Sequence, residues 1–305
     1  MKKLFSILIY LLIIGLVIFT FEPITNRLAL LLQHKPRVAT FPANNYFHEH
    51  SFRFVRQSED FIPYSKQDLK NIFYSFLNKG WERFTFYCPR EYTNCISDVQ
   101  ALIAHDETLT HINNFVHPFN AFRYLTVITS EAGEVTIEVE RLYSAEDISK
   151  INQRVDEIIT NLINNEMDEE EKILAIHDYI LENAFYDLTW SPEDNPSIFR
   201  SNMAYGPLFQ GFAICSGFTD AMAIFLTRFN IPNFKIASTD HVWNAVLIDG
   251  EWLHLDLTWN SPVDENNPYE TNLIHKFFLI TTEVLIEHEI TNHDFNPLIY
   301  QELKV

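Results

Sequence analysis

The residues that decide the fold, 210–262, read QGFAICSGFTDAMAIFLTRFNIPNFKIASTDHVWNAVLIDGEWLHLDLTWNSP. A lone cysteine, Cys215, opens an apolar pattern at helical spacing that ends before Pro232. His241 and Asp256 follow in two separate apolar runs. This order predicts a thiol nucleophile that faces a base and the carboxylate that orients it.

Cys215 is predicted to lie at a helix N-terminus, because apolar residues recur every three or four positions from Phe218 to Phe229. Unpaired N–H groups and the positive end of the helix dipole favour a thiolate there, and a neighbouring imidazolium favours it further. Taken alone, a cysteine is more often a small buried apolar residue than a nucleophile. The interpretation therefore depends on its partners.

The two runs that hold His241 and Asp256 are joined by Asp249-Gly250, a pair that tolerates the positive φ angles of a type I′ hairpin turn. With these two residues as the loop, Ile248 pairs with Glu251. Counting outward places His241 and Asp256 on one face as diagonal neighbours, about 7 to 8 Å apart at the backbone and within reach of a hydrogen bond. A slip of one residue would put them on opposite faces.

Three blocks of sequence occur in a fixed order. They are EKILAIHDYI at 171–180 with YD at 186–187, YGPL at 205–208 with GFAICSGF at 211–218, and HVWNAV at 241–246 with DGEW at 249–252 and DLTW at 256–259. Together, over about residues 145 to 295, they resemble the transglutaminase-like superfamily of papain-like cysteine enzymes in its bacterial form. The resemblance implies an α+β fold in which N-terminal helices pack on an antiparallel sheet.

The resemblance also assigns roles. It implies that Cys215 is the nucleophile, that His241 is the general base and acid, and that Asp256 orients His241. The oxyanion would be met by the Cys215 backbone N–H and by one further donor. The candidates for that donor, or for the wall of the site, are Gln210, Tyr205 and Trp243.

Four further residues bear on the site. Ala213 and Asp240 stand where glycine is common in the family, and Asp240 either raises the basicity of His241 or points to solvent. His254 shares the predicted face of Asp256, so it is a rival base or, with Cys215 and His241, a metal ligand. That spacing matches no common zinc pattern, and we predict no metal and no cofactor. His177 is expected to be a hydrogen-bonded packing residue.

The N-terminal sequence predicts where in the cell the protein is located. Lys2-Lys3 precedes an uncharged run of 18 residues, Leu4 to Phe21, which is just long enough to span a bilayer. No small-x-small cleavage site follows it, so an uncleaved anchor is favoured over a signal peptide. Positive charge before the run places the rest of the chain outside the cell membrane.

Cysteine count and charge fit that setting. Cys88 and Cys95 either close a small disulfide, which would leave Cys215 as the odd reactive thiol, or are both reduced. The chain has 22 basic and 41 acidic residues, a formal net charge of −19. Such a charge argues against nucleic acid and anionic lipid surfaces as partners, and it weakly favours basic or amine-bearing substrates.

Element patterns divide the chain into four parts: a membrane anchor at 1–22, a juxtamembrane linker at 23–45, a small α+β domain at 46–143 and the catalytic domain at 144–305. In the small domain we predict a helix on Leu69 to Leu77, a strand at 81–87, a short helix at 97–105 and strands at 122–129 and 134–142.

Two functions remain open from the sequence. The first is a membrane-anchored thiol enzyme that hydrolyses peptide or isopeptide amides, or passes the acyl group to an amine, with cell-wall or surface proteins as substrates. The second is a catalytically silent peptide-binding or scaffold protein with the same fold. An intact Cys215, His241 and Asp256 set favours the enzyme, because silent relatives are expected to lose one of the three. The sequence says nothing about the oligomeric state.

Overall fold

The computed structural model of the protein describes residues 38–304, apart from 105, 131, 192–197, 264, 265, 268, 271, 289 and 290. The described elements all lie within Thr40–Val305, which packs as one compact unit. The predicted anchor at 1–22 lies outside the described residues, as does most of the predicted linker. Within the part of the chain that is described, no helix is long and apolar enough to cross a membrane.

The N-terminal half of the described chain combines three helices with a three-stranded antiparallel sheet of strand order β1-β3-β2. Its elements are α1 (Lys66–Asn78), β1 (Arg83–Tyr87), α2 (Cys95–Ala104), α3 (Asp106–Asn114), β2 (Phe122–Thr129) and β3 (Glu134–Arg141). Apart from α3, which sequence patterns did not indicate, each lies within a few residues of its predicted position.

The disulfide is one of two alternatives that the sequence left open. Cys88 and Cys95 are joined by it across the connection between β1 and α2, with their Cα atoms 5.7 Å apart. Cys215 is the free cysteine. The single free cysteine expected from the cysteine count is therefore present, and its reactivity stays a prediction.

This pairing predicts the alkylation pattern and the stability of the protein. Denatured without reductant, the chain should take up one iodoacetamide, at Cys215, and after reduction it should take up three. Replacing both Cys88 and Cys95 by serine should lower the free energy of unfolding by about 2 to 3 kcal/mol, because a closed loop this short removes only modest entropy from the unfolded chain. Mass spectrometry and urea denaturation measure the two effects. Uptake of three labels before reduction would refute the pairing.

The C-terminal half builds the second sheet and the helices that pack on it. Its elements are α4 (Ala145–Leu162), α5 (Glu169–Asn183), β4 (Phe185–Tyr186), β5 (Phe212–Ala213), α6 (Cys215–Arg228), β6 (Asn233–Ala237), β7 (Val242–Ile248), β8 (Glu251–Leu255) and α7 (Thr282–Glu287). β6, β7 and β8 form an antiparallel sheet in that order, and β4 pairs with β5 in parallel. This is the predicted α+β arrangement.

The first two helices of this half, α4 and α5, begin with a capping box. In α5 the Asp168 side chain accepts from the Glu171 N–H, and the Glu171 side chain accepts from the Asp168 N–H. In α4, Ser144 and Asp147 form the same reciprocal pair. These boxes satisfy N–H groups that would otherwise lack partners, and they fix where each helix starts.

The core of this half lies where α5 and α6 meet the sheet. Apolar side chains of α5, α6, β7 and β8 pack in one buried cluster that includes Ile176, Phe218, Met222, Val246 and Leu255. A buried ion pair also crosses this core: Lys235 Nζ on β6 lies 2.8 Å from Asp220 Oδ1 on α6, and the Tyr143 hydroxyl donates to Asp220 Oδ2 at 2.7 Å. The charges are satisfied, so α6 is held in one position against the sheet.

The hairpin register is as the sequence predicts. Asp249 (φ +49°) and Gly250 (φ +82°) form the two-residue turn, and Ile248 pairs with Glu251. The ladder ends at the pair of Asn244 with Leu255, one step before Asp256. Residue 256 therefore leaves the strand and enters a turn.

Aromatic contacts join residues on the two sides of the predicted boundary between 143 and 144. The ring of Phe52 lies 5.4 Å from that of Phe234, and the Tyr300 hydroxyl is 2.8 Å from His111 Nδ1. The division into a small domain at 46–143 and a catalytic domain at 144–305 stays a prediction.

Candidate active site

Cys215 is the first residue of α6, as predicted. The residue before it, Ile214, is extended and has no side chain that can cap the helix. The N–H groups of the first turn therefore point out beside a half-buried thiol. Gly217 allows the close packing here, because a Cβ at that position would lie 2.1 Å from the Ser201 carbonyl oxygen.

Thr219 connects the helix that begins at Cys215 to the strand that follows His241. Its Oγ1 lies 2.8 Å from the Cys215 carbonyl oxygen and 3.0 Å from that of Val242. The Asn244 side chain on β7 donates to the Thr219 carbonyl at 3.1 Å. These bonds fix the positions of Cys215 and His241 relative to each other.

His241 and Asp256 meet as predicted. His241 Nε2 lies 2.6 Å from Asp256 Oδ2, and both side chains are almost fully buried. The Trp259 backbone N–H donates to Asp256 Oδ1 at 3.1 Å, which fixes the carboxylate in the turn after β8. With Nε2 bound to the carboxylate, Nδ1 is the ring nitrogen left to face the Cys215 thiol.

His241 and Asp256 each stabilise the charged form of the other. Burial alone would lower the pKa of His241, but the charge and hydrogen bond of Asp256, with a further contribution from the Cys215 thiol, raise it to about 10. Burial likewise acts to raise the pKa of Asp256, yet the charge of His241 and hydrogen bonds from His241 and His293 lower it to about 2. At neutral pH the site therefore favours an imidazolium beside the cysteine and an ionised carboxylate behind it.

Stability should depend on pH through His241. Because its pKa rises from about 6.5 in an unfolded chain to about 10 in the fold, its contribution is complete below pH 6.5 and is lost as the pH rises towards 10. The free energy of unfolding should fall by roughly 2 to 5 kcal/mol over that range. Urea denaturation at several pH values measures it. Asp256→Asn should flatten the profile, and an equally steep profile in that variant would contradict this origin.

The three candidates for the second oxyanion donor differ in what their side chains already bind. Trp243 is excluded as a donor because its Nε1–H is used by His254 Nδ1 at 2.9 Å; its ring instead stacks on His241, 5.5 Å away, as part of the wall. Gln210 uses its Oε1 to accept the Arg200 N–H at 2.8 Å, which leaves its amide N–H groups for a ligand. The Tyr205 ring stacks under the Arg200 guanidinium, 4.3 Å away.

His254 is a structural residue rather than a rival base. Its Nδ1 accepts from the Trp243 indole, so Nε2 carries the proton and donates to Thr282 Oγ1 at 3.0 Å. Burial, followed by the influence of His293, lowers the pKa of His254 to about 3. It therefore stays neutral. Asp240 is exposed, so it points to solvent.

His177 is a satisfied packing residue, as predicted, but it belongs to a network. The Asn260 side-chain oxygen Oδ1 accepts the Phe277 N–H at 2.7 Å, so the Asn260 side-chain amide donates to His177 Nε2 at 3.0 Å. His177 Nδ1 then carries the proton and donates to Asp178 Oδ1 at 2.8 Å, where His275 Nε2 also binds at 2.7 Å. A protonated Nδ1 has no lone pair for a cation, so this cluster is a hydrogen-bonded network.

Sequence reasoning missed two residues near the site. His293 Nε2 lies 2.7 Å from Asp256 Oδ2, the oxygen that His241 also uses. Tyr186 interacts electrostatically with Cys215. Burial raises the pKa of the Tyr186 hydroxyl to about 12, and the charges of Cys215, Asp187 and Asp256 contribute to this rise. The motif block that contains Tyr186 was the only sequence signal for it, and His293 gave none.

One comparison with known proteins, the match to a family model, supports this interpretation of the fold. Residues 156–257 match the transglutaminase-like superfamily. No significant sequence match was found among curated proteins. Solved structures with some likeness include a TGase (TM-score 0.36, 12% identity, 52% of this chain and 49% of that chain). Another is a candidate cysteine protease from Cytophaga hutchinsonii (TM-score 0.27, 12% identity, 44% of this chain and 61% of that one).

A third is a candidate protease from Parabacteroides distasonis (TM-score 0.25, 14% identity, 44% of this chain and 36% of that one). Each alignment covers less than two thirds of the neighbour's own length, and likenesses this slight carry no argument about function. The family match stands on its own: the chain contains a domain of the transglutaminase-like superfamily at residues 156–257. The match includes Cys215, His241 and Asp256 and ends well before His293.

Proposed function

We propose that this protein is a membrane-anchored thiol enzyme that acts on peptide or isopeptide amides through Cys215, His241 and Asp256. The observation that carries the proposal is the His241 to Asp256 hydrogen bond of 2.6 Å beside a free cysteine at a helix N-terminus. A silent scaffold would have no need for a buried carboxylate that holds an imidazole against a thiol.

The chemistry follows from the positions of these groups. His241 Nδ1 takes the Cys215 proton, and the thiolate attacks the carbonyl carbon of a carboxamide. The oxyanion that forms is met by the Cys215 N–H and by a second donor, for which Gln210 and Tyr205 remain candidates. The C–N bond then breaks as His241 gives its proton to the departing amine, which leaves a thioester on Cys215.

The second half of the reaction restores the thiol. Water or an acceptor amine attacks the thioester, His241 takes the attacking group's proton, and the C–S bond breaks. Asp256 stabilises the imidazolium in both halves and keeps Nδ1 facing the sulfur. Water as the acceptor gives hydrolysis, and an amine gives acyl transfer.

The test uses the purified full-length protein with a glutamine-containing peptide and an excess of a primary amine. Mass spectrometry follows loss of ammonia with gain of either water or the amine. We expect one of the two products with the parent protein and neither with Cys215→Ala. An isopeptide-linked substrate forms a second arm. Absence of turnover in both arms, from a protein whose Cys215 is still reactive towards alkylating agents, would refute the proposed activity.

The location is also a proposal, supported by the apolar run from Leu4 to Phe21 and by the disulfide between Cys88 and Cys95. We expect the mature chain to keep this run and to partition with membranes, with the catalytic domain on the outer side. N-terminal sequencing of the mature protein and protease accessibility on intact cells measure the two points. A mature N-terminus after Phe21 would show a secreted protein instead.

A further inference from the structure

His293 occupies a position that the family match does not cover. It ends a short 3₁₀ helix, Thr291–His293, and its side chain is 3% exposed. The Ser238 hydroxyl donates to the Asn292 carbonyl at 2.6 Å, which ties this turn to the connection between β6 and β7. The turn is thereby held beside His241.

The ring of His293 is fixed by what surrounds it. It meets the Trp243 ring edge to face, with centroids 4.9 Å apart and an interplanar angle of 82°, and it lies 5.3 Å from the Phe277 ring. In this position its Nε2 lies 2.7 Å from Asp256 Oδ2, while His241 Nε2 lies 2.6 Å from the same oxygen. One carboxylate oxygen thus accepts hydrogen bonds from two histidines.

The other ring nitrogen of His293, Nδ1, indicates that the residue does more than pack against its neighbours. His293 Nδ1 is buried and has no hydrogen-bond partner among the described residues. A buried polar atom without a partner costs about 1 to 3 kcal/mol. A phenylalanine would fill the same aromatic surroundings without that cost, so packing alone does not account for an imidazole. The hydrogen bond to Asp256 is what a phenylalanine could not supply.

We propose that His293 is a positioning residue that holds the Asp256 carboxylate and shares its Oδ2 with His241, so that His241 is not made too basic to act as an acid. The inference rests on the proposed function. The departing amine must receive a proton from His241, and an imidazolium bound to an unshared carboxylate gives up that proton less readily. His293 draws part of the electron density of Oδ2 away from His241.

Other titratable groups lie near Asp256 on several of the surrounding elements. Among the described residues, however, His241 and His293 are the side chains that hydrogen-bond its carboxylate. The other described groups that interact with this cluster through their charges are Cys215 on α6, His254 on β8, His177 on α5 and Tyr186 on β4, and Asp187 interacts with Tyr186.

The experiment measures the pH at which His241 loses its proton, and it needs no substrate. Cys215 is alkylated at a series of pH values with iodoacetate, an anion, and with iodoacetamide, which is neutral. An imidazolium beside the sulfur attracts the anion, so the ratio of the two rates falls when His241 loses its proton. The midpoint of that fall is compared between the parent and His293→Phe. Cys88 and Cys95 are in a disulfide, so the measured reaction is that of Cys215.

The expected result is a midpoint that moves up by about half a pH unit or more in His293→Phe, because Asp256 then binds His241 alone. His293→Gln, whose Nε2 can reach the same oxygen, should return the midpoint to that of the parent. His288→Phe is the matched control: His288 packs against Phe277 in the same segment, 5.1 Å between centroids, and should leave the midpoint unchanged. If His293→Phe does not fold, His293→Met replaces it with the same expectation.

An unchanged or lowered midpoint in the folded His293→Phe or His293→Met variant would overturn the proposal, as would a glutamine variant that behaves like phenylalanine. Turnover adds a second readout, since kcat should fall in His293→Phe and recover in His293→Gln. The two proposals fail separately. A shifted midpoint in a protein without turnover would refute the proposed function and support the role of His293. Turnover with an unshifted midpoint would support the proposed function and refute the role of His293.

Discussion

Replacing Cys215 by alanine should lower turnover of a glutamine or isopeptide substrate by on the order of 10⁴-fold or more. The thioester cannot form without the sulfur, and the remaining groups supply only binding and oxyanion stabilisation. The free energy of unfolding should change little, because the cysteine is only half-buried and alanine removes a single atom from its side chain. Substrate conversion per folded molecule, followed by mass spectrometry, is the measurement.

The matched control is Ser216→Ala, one residue further along the same helix turn. The Ser216 hydroxyl donates to the Asn202 carbonyl at 3.2 Å and has no role in the proposed reaction, so turnover should stay within a few-fold of the parent. Equal losses in the two variants would indicate damage to the helix start rather than loss of a nucleophile.

Removing the carboxylate of Asp256 should give the second largest effect. In Asp256→Ala, His241 loses the bond that sets its tautomer, and His241 and His293 are both left with buried, unpaired N–H groups. We expect turnover to fall by about 10²- to 10⁴-fold and the free energy of unfolding to fall by about 3 to 5 kcal/mol. In Asp256→Asn, turnover and the free energy of unfolding should fall by less, because an amide oxygen can still accept a hydrogen bond.

His254→Ala is the comparison that tests this assignment of roles. It removes the acceptor of the Trp243 indole, so stability should fall by about 1 to 3 kcal/mol. Turnover per folded molecule should nevertheless stay within a few-fold of the parent, since His254 touches no reacting atom. Near-ultraviolet circular dichroism confirms folding. Abolished activity in His254→Ala together with full activity in Asp256→Ala would require the base and its orienting group to be reassigned.

The parts of the site that were predictable are those with a local signal. The Asp-Gly turn determines the pairing of Ile248 with Glu251, and from that pairing the approach of His241 to Asp256 follows by counting. The start of α6 at Cys215 follows in the same way from helical spacing. These features depend on turn geometry and periodicity, which a sequence displays directly.

The remaining features depend on tertiary contacts between residues far apart in the chain. His293 lies 37 positions from Asp256 in an irregular segment, with neither periodicity nor a motif to mark it. The ion pair of Lys235 with Asp220 joins a strand to a helix, and each residue alone resembles a surface charge. The end of β8 at Leu255, one residue before the carboxylate, follows from the turn that brings Asp256 N–H to the Phe277 carbonyl at 3.0 Å.

The disulfide between Cys88 and Cys95 has a consequence for oxidative damage. The chain has three cysteines, so this bond leaves Cys215 with no second thiol in the same molecule. A thiolate that meets peroxide becomes a sulfenic acid, which many redox-regulated proteins rescue by condensing it with a neighbouring cysteine. Here that route is closed. Recovery of an oxidised Cys215 must come from a small thiol or a reductase in the surroundings, and without one the oxidation proceeds to the irreversible sulfinic acid.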